Sequence, residues 1–244
     1  MTPAPVADHA PTCWICGNVA RTREHRSKSS DLRAIFGAPT QLDPLFFSTD
    51  ERRNRKVGSL NASLLKFTTP ICENCNSART QRHDRAWQRL SETLRLLQPK
   101  ITAGQVIRAN RIFPYDTRRE MRNVHLYFLK LFGCQILDGK LPIDIEPFSE
   151  AILQERPHPN VYLAFGPTPN RPVASIAGGT DVYVAMLKDK CAFATWFYEV
   201  NNLSVNIMYA TLGEKREGLI NAWHPRFGHQ TLTLKSFLQP ENNT

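Results

Sequence analysis

Four of the six cysteines fall into two CxxC pairs, Cys13 with Cys16 in "CWIC" and Cys72 with Cys75 in "CENC". Zinc prefers four tetrahedral ligands with thiolate sulfur ~2.3 Å away, and one CxxC turn delivers two sulfurs to an ion. The spacing predicts one four-thiolate site that staples two distant segments. The 55 residues between the pairs (17–71) far exceed the ~15–20 of a compact zinc ribbon. A sizeable insertion is therefore held between the two halves of the site. A redox CxxC is the competing reading. A site closed by four thiolates has no open coordination position, which makes such an ion structural, not catalytic. Cys134 and Cys191 stand alone in apolar surroundings and read as core residues.

That closed site leaves out the acid–histidine pair Glu24-His25, which lies between the knuckles in the most basic part of the chain. Residues 1–100 hold 16 Lys+Arg against 9 Asp+Glu, and residues 101–244 hold 15 against 13. The excess of +7 against +2 puts the cationic surface with the cysteines, and such a surface suits a polyanion such as nucleic acid. With 41% hydrophobic residues in 244, the chain can bury a core. No apolar run is long enough for a membrane span. The opening "MTPAPVADHAPT" has neither a basic nor an apolar signal region, so residues 1–12 read as a disordered leader and the expected location is the cytoplasm.

Hydrophobic patterning divides the chain near residue 100, into 13–99 and 100–244. "TQRHDRAWQRLSETLRLLQ" (80–98) carries Trp87, Leu90, Leu94 and Leu97 at helical spacing, with Arg82, Arg85 and Arg89 on a second stripe. Pro99 stops this helix. "SKSSDLRAIFG" (27–37) predicts a short helix capped by Ser30 or Asp31, and "STDERRNRKVGSLN" (48–61) an exposed basic loop. "SLLKFTTPI" (63–71) reads as a strand entering the second CxxC. In the second segment, "DTRREMRNVHLYFLKLFG" (116–133) predicts a helix from an Asp116 cap to a Gly133 stop. Residues 160–166, 181–188, 191–200 and 203–212 are β-rich, and Asn201-Asn202 suits a tight hairpin turn. The aromatics of "FATWFYEV" read as core, and the fold class expected is α+β with a small antiparallel sheet.

The pattern CxxC, then "REH" at 23–25, then "CENCN" at 72–76 resembles the HNH endonuclease superfamily in its four-cysteine form. Asp84, eight residues after Asn76, stands where some members carry an acidic residue at the start of a helix. The resemblance covers about residues 13–90. It implies a zinc-stapled, treble-clef-like ββα-metal core, followed by an accessory α+β domain outside the likeness. His25 would be the general base toward the attacking water. Glu24, Asn76 and Asp84 would hold one catalytic Mg2+ or Mn2+. His83 is an alternative ligand from the same helix, or a surface histidine. Arg79, Arg82 and Arg85 would hold flanking phosphates. Where many members have an apolar pair and then proline after the first histidine, this chain has "RSKSS". The middle asparagine that braces the base histidine is best matched by Asn61, with Asn54 second.

The resulting expectation is a metal-dependent endonuclease that hydrolyses DNA phosphodiesters, with RNA as another possible substrate. A homodimer or a protein partner would act through the second segment, and no membrane is involved. The alternatives are a catalytically inactive zinc-stapled nucleic-acid-binding module and a structural zinc protein acting through protein contacts.

Overall fold

The computed structural model describes residues 10–49, 51–97, 101–169, 175–228 and 230–237. The chain runs β1 (Thr22–His25), α1 (Ser29–Phe36), β2 (Leu45–Phe47), β3 (Arg55–Val57), β4 (Lys66–Ile71), α2 (Glu73–Asn76) and α3 (Gln81–Leu96). It continues through β5 (Val106–Arg108), α4 (Ala109–Ile112), α5 (Thr117–Asp138) and α6 (Glu146–Leu153). Then come β6 (Val161–Pro167), β7 (Ala177–Gly179), β8 (Tyr183–Leu187), β9 (Lys190–Val200), β10 (Leu203–Ala210) and β11 (Thr231–Thr233). This is a mixed α+β fold in which every sheet is antiparallel. Strands β1 and β4 form one two-stranded ladder, and β6-β10-β9-β7, with β8 also on β9, form a five-stranded sheet. No helix among the described residues is long and apolar enough to cross a membrane.

The hairpin expected at Asn201-Asn202 is present. Val200 pairs with Leu203, and Asn201 takes the positive φ of 58° that a tight turn demands. Trp196 and Tyr198 of β9 are buried in the main core, as are the free thiols of Cys134 and Cys191, while Phe197 between the two aromatics is half-buried on the other face. The apolar stripe of α3 is likewise buried at Trp87, Leu90 and Leu94, while Arg82, Arg85 and Arg89 face solvent. Pro99 lies outside the described residues, as do residues 1–9 of the expected leader. Thr12 already pairs with Val19 across the first cysteine knuckle.

The core runs across residue 100. Trp87 of α3 packs its ring 5.7 Å from Tyr127 and 4.8 Å from Phe128, both on α5, and 5.7 Å from Tyr198 on β9. Its indole N–H donates to Asp31 at 2.9 Å. Asp31 does not cap α1, as the sequence suggested. Lys28 occupies the cap position without a side-chain hydrogen bond, and Asp31 turns inward, because Trp87, Tyr198 and Arg95 surround it with donors and a charge.

Gly133 does not stop α5, which continues to Asp138. A Cβ at this glycine would collide with the indole ring of Trp14, which follows Cys13. The glycine therefore permits close contact between the central helix and the first cysteine knuckle. Beyond it, Asp138 accepts from the backbone N–H and hydroxyl of both Thr68 and Thr69 at 2.6–2.8 Å, and pairs with Arg26 at 3.0 Å. Burial pushes the Asp138 carboxyl up, but these hydrogen bonds outweigh it and hold the group below its ordinary value. Gly133→Ala should be destabilising by about 1–3 kcal/mol from overpacking, more than the ~1 kcal/mol of helix propensity that alanine gains. Urea unfolding of the variant measures which wins.

The basic segment 48–61 holds a strand, because Arg55, Lys56 and Val57 pair with Phe47, Phe46 and Leu45. Val57 drops into a small cluster with Leu32, Leu60 and Leu65, which anchors the hairpin while its charges stay exposed.

Three buried histidines sit between α5 and the five-stranded sheet. His125 Nε2 donates to the Val161 carbonyl at 3.0 Å, and His224 Nε2 to the His158 carbonyl at 2.9 Å. His158 Nδ1 accepts from Asn160 N–H at 3.1 Å. Burial holds His125 neutral with a pKa lowered to about 3, and His158 to about 4. Each regains its ordinary value of 6.5 on unfolding, so the unfolded chain takes up protons first as pH falls. Their contribution to stability is complete above pH 6.5 and is lost from there toward pH 4, at about 1.4 kcal/mol per pH unit for each histidine. His125→Gln should flatten the pH dependence of unfolding by about one histidine's share, as measured by urea unfolding at a series of pH values with zinc content held equal.

Candidate active site and metal centre

The four cysteine sulfurs lie within 4.8 Å of one another, and Cys16 and Cys72 approach to 3.5 Å. A tetrahedral zinc with sulfur at ~2.3 Å sets its sulfurs about 3.8 Å apart, so the donor set fits a structural zinc. Cys72 is the N-cap of α2 and accepts the Cys75 N–H at 3.4 Å, while the Gly17 N–H closes on the Cys13 carbonyl at 2.8 Å. Burial pushes the Cys13 and Cys75 thiols up. A metal cation offsets that penalty by binding the thiolates directly.

Glu24 and His25 end β1, which the register holds against β4: Thr22 faces Ile71 and His25 faces Lys66. A bulge between Arg23 and His25 re-aims the final residues of the strand. His25 Nε2 lies 3.1 Å from the Leu60 carbonyl. A carbonyl only accepts, so Nε2 carries the proton and Nδ1 keeps its lone pair. Burial lowers the His25 pKa, outweighing the opposite influences of the Leu60 carbonyl and Glu24. The ring is therefore neutral near pH 7 and half-exposed. The loop before the second CxxC does brace this histidine, through the backbone of Leu60. Asn61, the next residue, is itself exposed, and Asn54 sits at a positive φ of 55° in the β2–β3 connection.

The two carboxylates that the resemblance assigned to a divalent ion converge on the Lys130 ammonium from α5. Glu24 Oε2 lies 2.7 Å from Nζ, and Asp84 Oδ1 and Oδ2 lie 3.2 and 3.3 Å away. Thr80 Oγ1 accepts from the same ammonium at 3.2 Å and donates to the Cys75 carbonyl at 3.0 Å, which ties the cluster to the cysteine knuckle. Glu24 Oε1 accepts the His25 backbone N–H at 3.2 Å. Burial alone would lower the Lys130 pKa, but Glu24 and Asp84 more than reverse this and raise it. Asn76 turns elsewhere: its amide donates to Thr22 Oγ1 at 3.1 Å and to the Arg23 carbonyl at 3.4 Å, pinning α2 to β1. The donor set as it stands does not offer a divalent cation two free carboxylates, because both already share the Lys130 ammonium.

His83 is buried, not a surface histidine, and its pKa is lowered to about 3 by burial and by Lys130, Arg82 and Arg122. It faces the core because Trp87 and Leu90, four and seven residues on, share its side of α3. Of the three arginines, Arg82 pairs with Glu155 just beyond α6, Arg85 is exposed, and Arg79 is half-buried with Nε lacking a hydrogen-bond partner among the described residues.

Sequence reasoning missed Lys130, Thr80 and the Leu60 carbonyl. The signal for Lys130 was available in "LYFLKLF" (126–132), a lysine in a helix apolar on every side. Such a helix is buried, and a buried lysine needs carboxylate partners. A cavity of about 240 Å³ is walled by β6, residues 221–223 and β11, and includes none of these residues. No family model matches the chain, and neither a curated protein nor a solved structure does.

Proposed function

We propose that the chain is a zinc-stapled nuclease of the HNH type that hydrolyses DNA phosphodiesters, with His25 as its general base. The β1–β4 ladder followed by α2 and α3 would be its ββα core. The observation that carries the reading is the bond from His25 Nε2 to the Leu60 carbonyl. It fixes the tautomer that leaves Nδ1 free to take a proton from a water attacking phosphorus. The exposed Arg85 and the half-buried Arg79 supply cations for flanking phosphates, and Arg82 would do so only by releasing Glu155.

A lowered His25 pKa makes the pH profile a test. Cleavage, read as kcat/KM, should fall with acid, with a midpoint below the ordinary histidine value of 6.5. A midpoint above 6.5 in kcat/KM, which reports the free protein, would contradict the assignment.

One observation favours a second reading, a nucleic-acid-binding module without chemistry: the closed Glu24–Lys130–Asp84 cluster. A binding module retains DNA in a gel shift, cleaves none of it, and keeps that binding in His25→Ala.

A further inference from the structure

We infer that the Lys130 ammonium is the resident cation between Glu24 and Asp84, and that these carboxylates take no Mg2+ or Mn2+ while it is in place. An ammonium has three N–H donors. Here they donate to Asp84 at 3.2 Å and Thr80 at 3.2 Å, and the ammonium forms an ion pair with Glu24 Oε2 at 2.7 Å. Mg2+ demands near-octahedral oxygens and usually keeps several waters. The Lys130 side chain is 1% exposed, and the Glu24 side chain 11%, so the space around Nζ is filled by protein.

Displacement is opposed on every side. Lys130 rises from the middle of α5, where residues 126–134 are all buried. Withdrawing the ammonium would leave it on the buried face of α5 shared by Leu126 and Cys134, one turn to either side, without the carboxylates. Remaining there, it repels any second cation at the same oxygens. Thr80 fixes the arrangement further, because its hydroxyl is committed to the Cys75 carbonyl. The lysine thereby connects α5 to both the cysteine knuckle and the end of β1. Its chemistry is that of a built-in monovalent counter-ion shared by the two carboxylates.

This inference rests on reading Glu24, His25 and Asp84 as one site. Its readout is metal binding, so failure of cleavage and failure of the inference are separate results. The experiment is Mn2+ titration of the zinc-loaded full chain, followed by electron paramagnetic resonance, for wild type, Lys130→Ala, and each combined with Glu24→Gln. Wild type is expected to bind no Mn2+ that Glu24→Gln removes. Lys130→Ala is expected to gain one equivalent, lost again with Glu24→Gln. One Glu24-dependent equivalent in wild type would overturn the inference, as would no gain in folded Lys130→Ala. Should Lys130→Ala unfold without divalent ion, Mn2+ is expected to restore its fold, and failure to do so would equally overturn it.

Discussion

Cys72→Ser is expected to lose the bound zinc and with it the native fold of residues 13–97. Structural zinc sites supply on the order of 10 kcal/mol in isolated finger peptides, comparable to the entire ~5–15 kcal/mol stability of a domain. Cys72 has two roles, since its sulfur is one of the four clustered donors and also caps α2. Serine can still cap a helix, so the loss should come almost wholly from the metal. The damage should spread, because Trp14 packs on Gly133 and Thr80 links the Cys75 carbonyl to Lys130. Zinc analysis and thermal unfolding of wild type and variant check this. Wild type should hold about one zinc per chain, and a variant that melts like wild type would show that the four sulfurs do not share an ion.

The second large effect is expected at Asp31. Its carboxylate is completely buried and accepts from Trp87 Nε1 at 2.9 Å, Tyr198 Oη at 3.1 Å and Ser91 Oγ at 3.3 Å, with Arg95 3.5 Å away. Tyr198 in turn accepts the Lys28 N–H at 3.0 Å. One side chain thus joins α1, α3 and β9. Burial raises the Asp31 pKa despite these partners, so the charged pair with Arg95 is not by itself a source of much stability. Removing one partner is another matter, since it leaves the indole N–H, the phenol and the guanidinium without their acceptor. Asp31→Ala should cost about 3–5 kcal/mol, and Asp31→Asn, which keeps one acceptor oxygen, clearly less. Urea unfolding of the two variants measures the difference, and equal, small losses would mean that the network carries no stability.

Both sites show what the sequence made legible. The cysteine pairs were readable because CxxC spacing is local chemistry. The α3 stripe and the Asn201-Asn202 hairpin were readable for the same reason, as their periodicity and turn geometry are set within a few residues. Asp31 and Gly133 misled because the local rules for caps and stops were overridden from a distance. Asp31 is claimed by Trp87 and Tyr198, 56 and 167 positions away, and Gly133 is shaped by Trp14. The Glu24–Lys130–Asp84 cluster was half legible. Its carboxylates stand in a recognisable motif, while its cation comes from a helix that no motif connects to them.

The most direct measurement is nicking of supercoiled plasmid by zinc-loaded wild type and His25→Ala, side by side, with and without Mn2+. The account predicts cleavage by wild type that falls by about 10²-fold or more in His25→Ala, the contribution expected of a general base, at unchanged zinc content. Equal cleavage by the two proteins, or DNA bound and left intact by both, would contradict it.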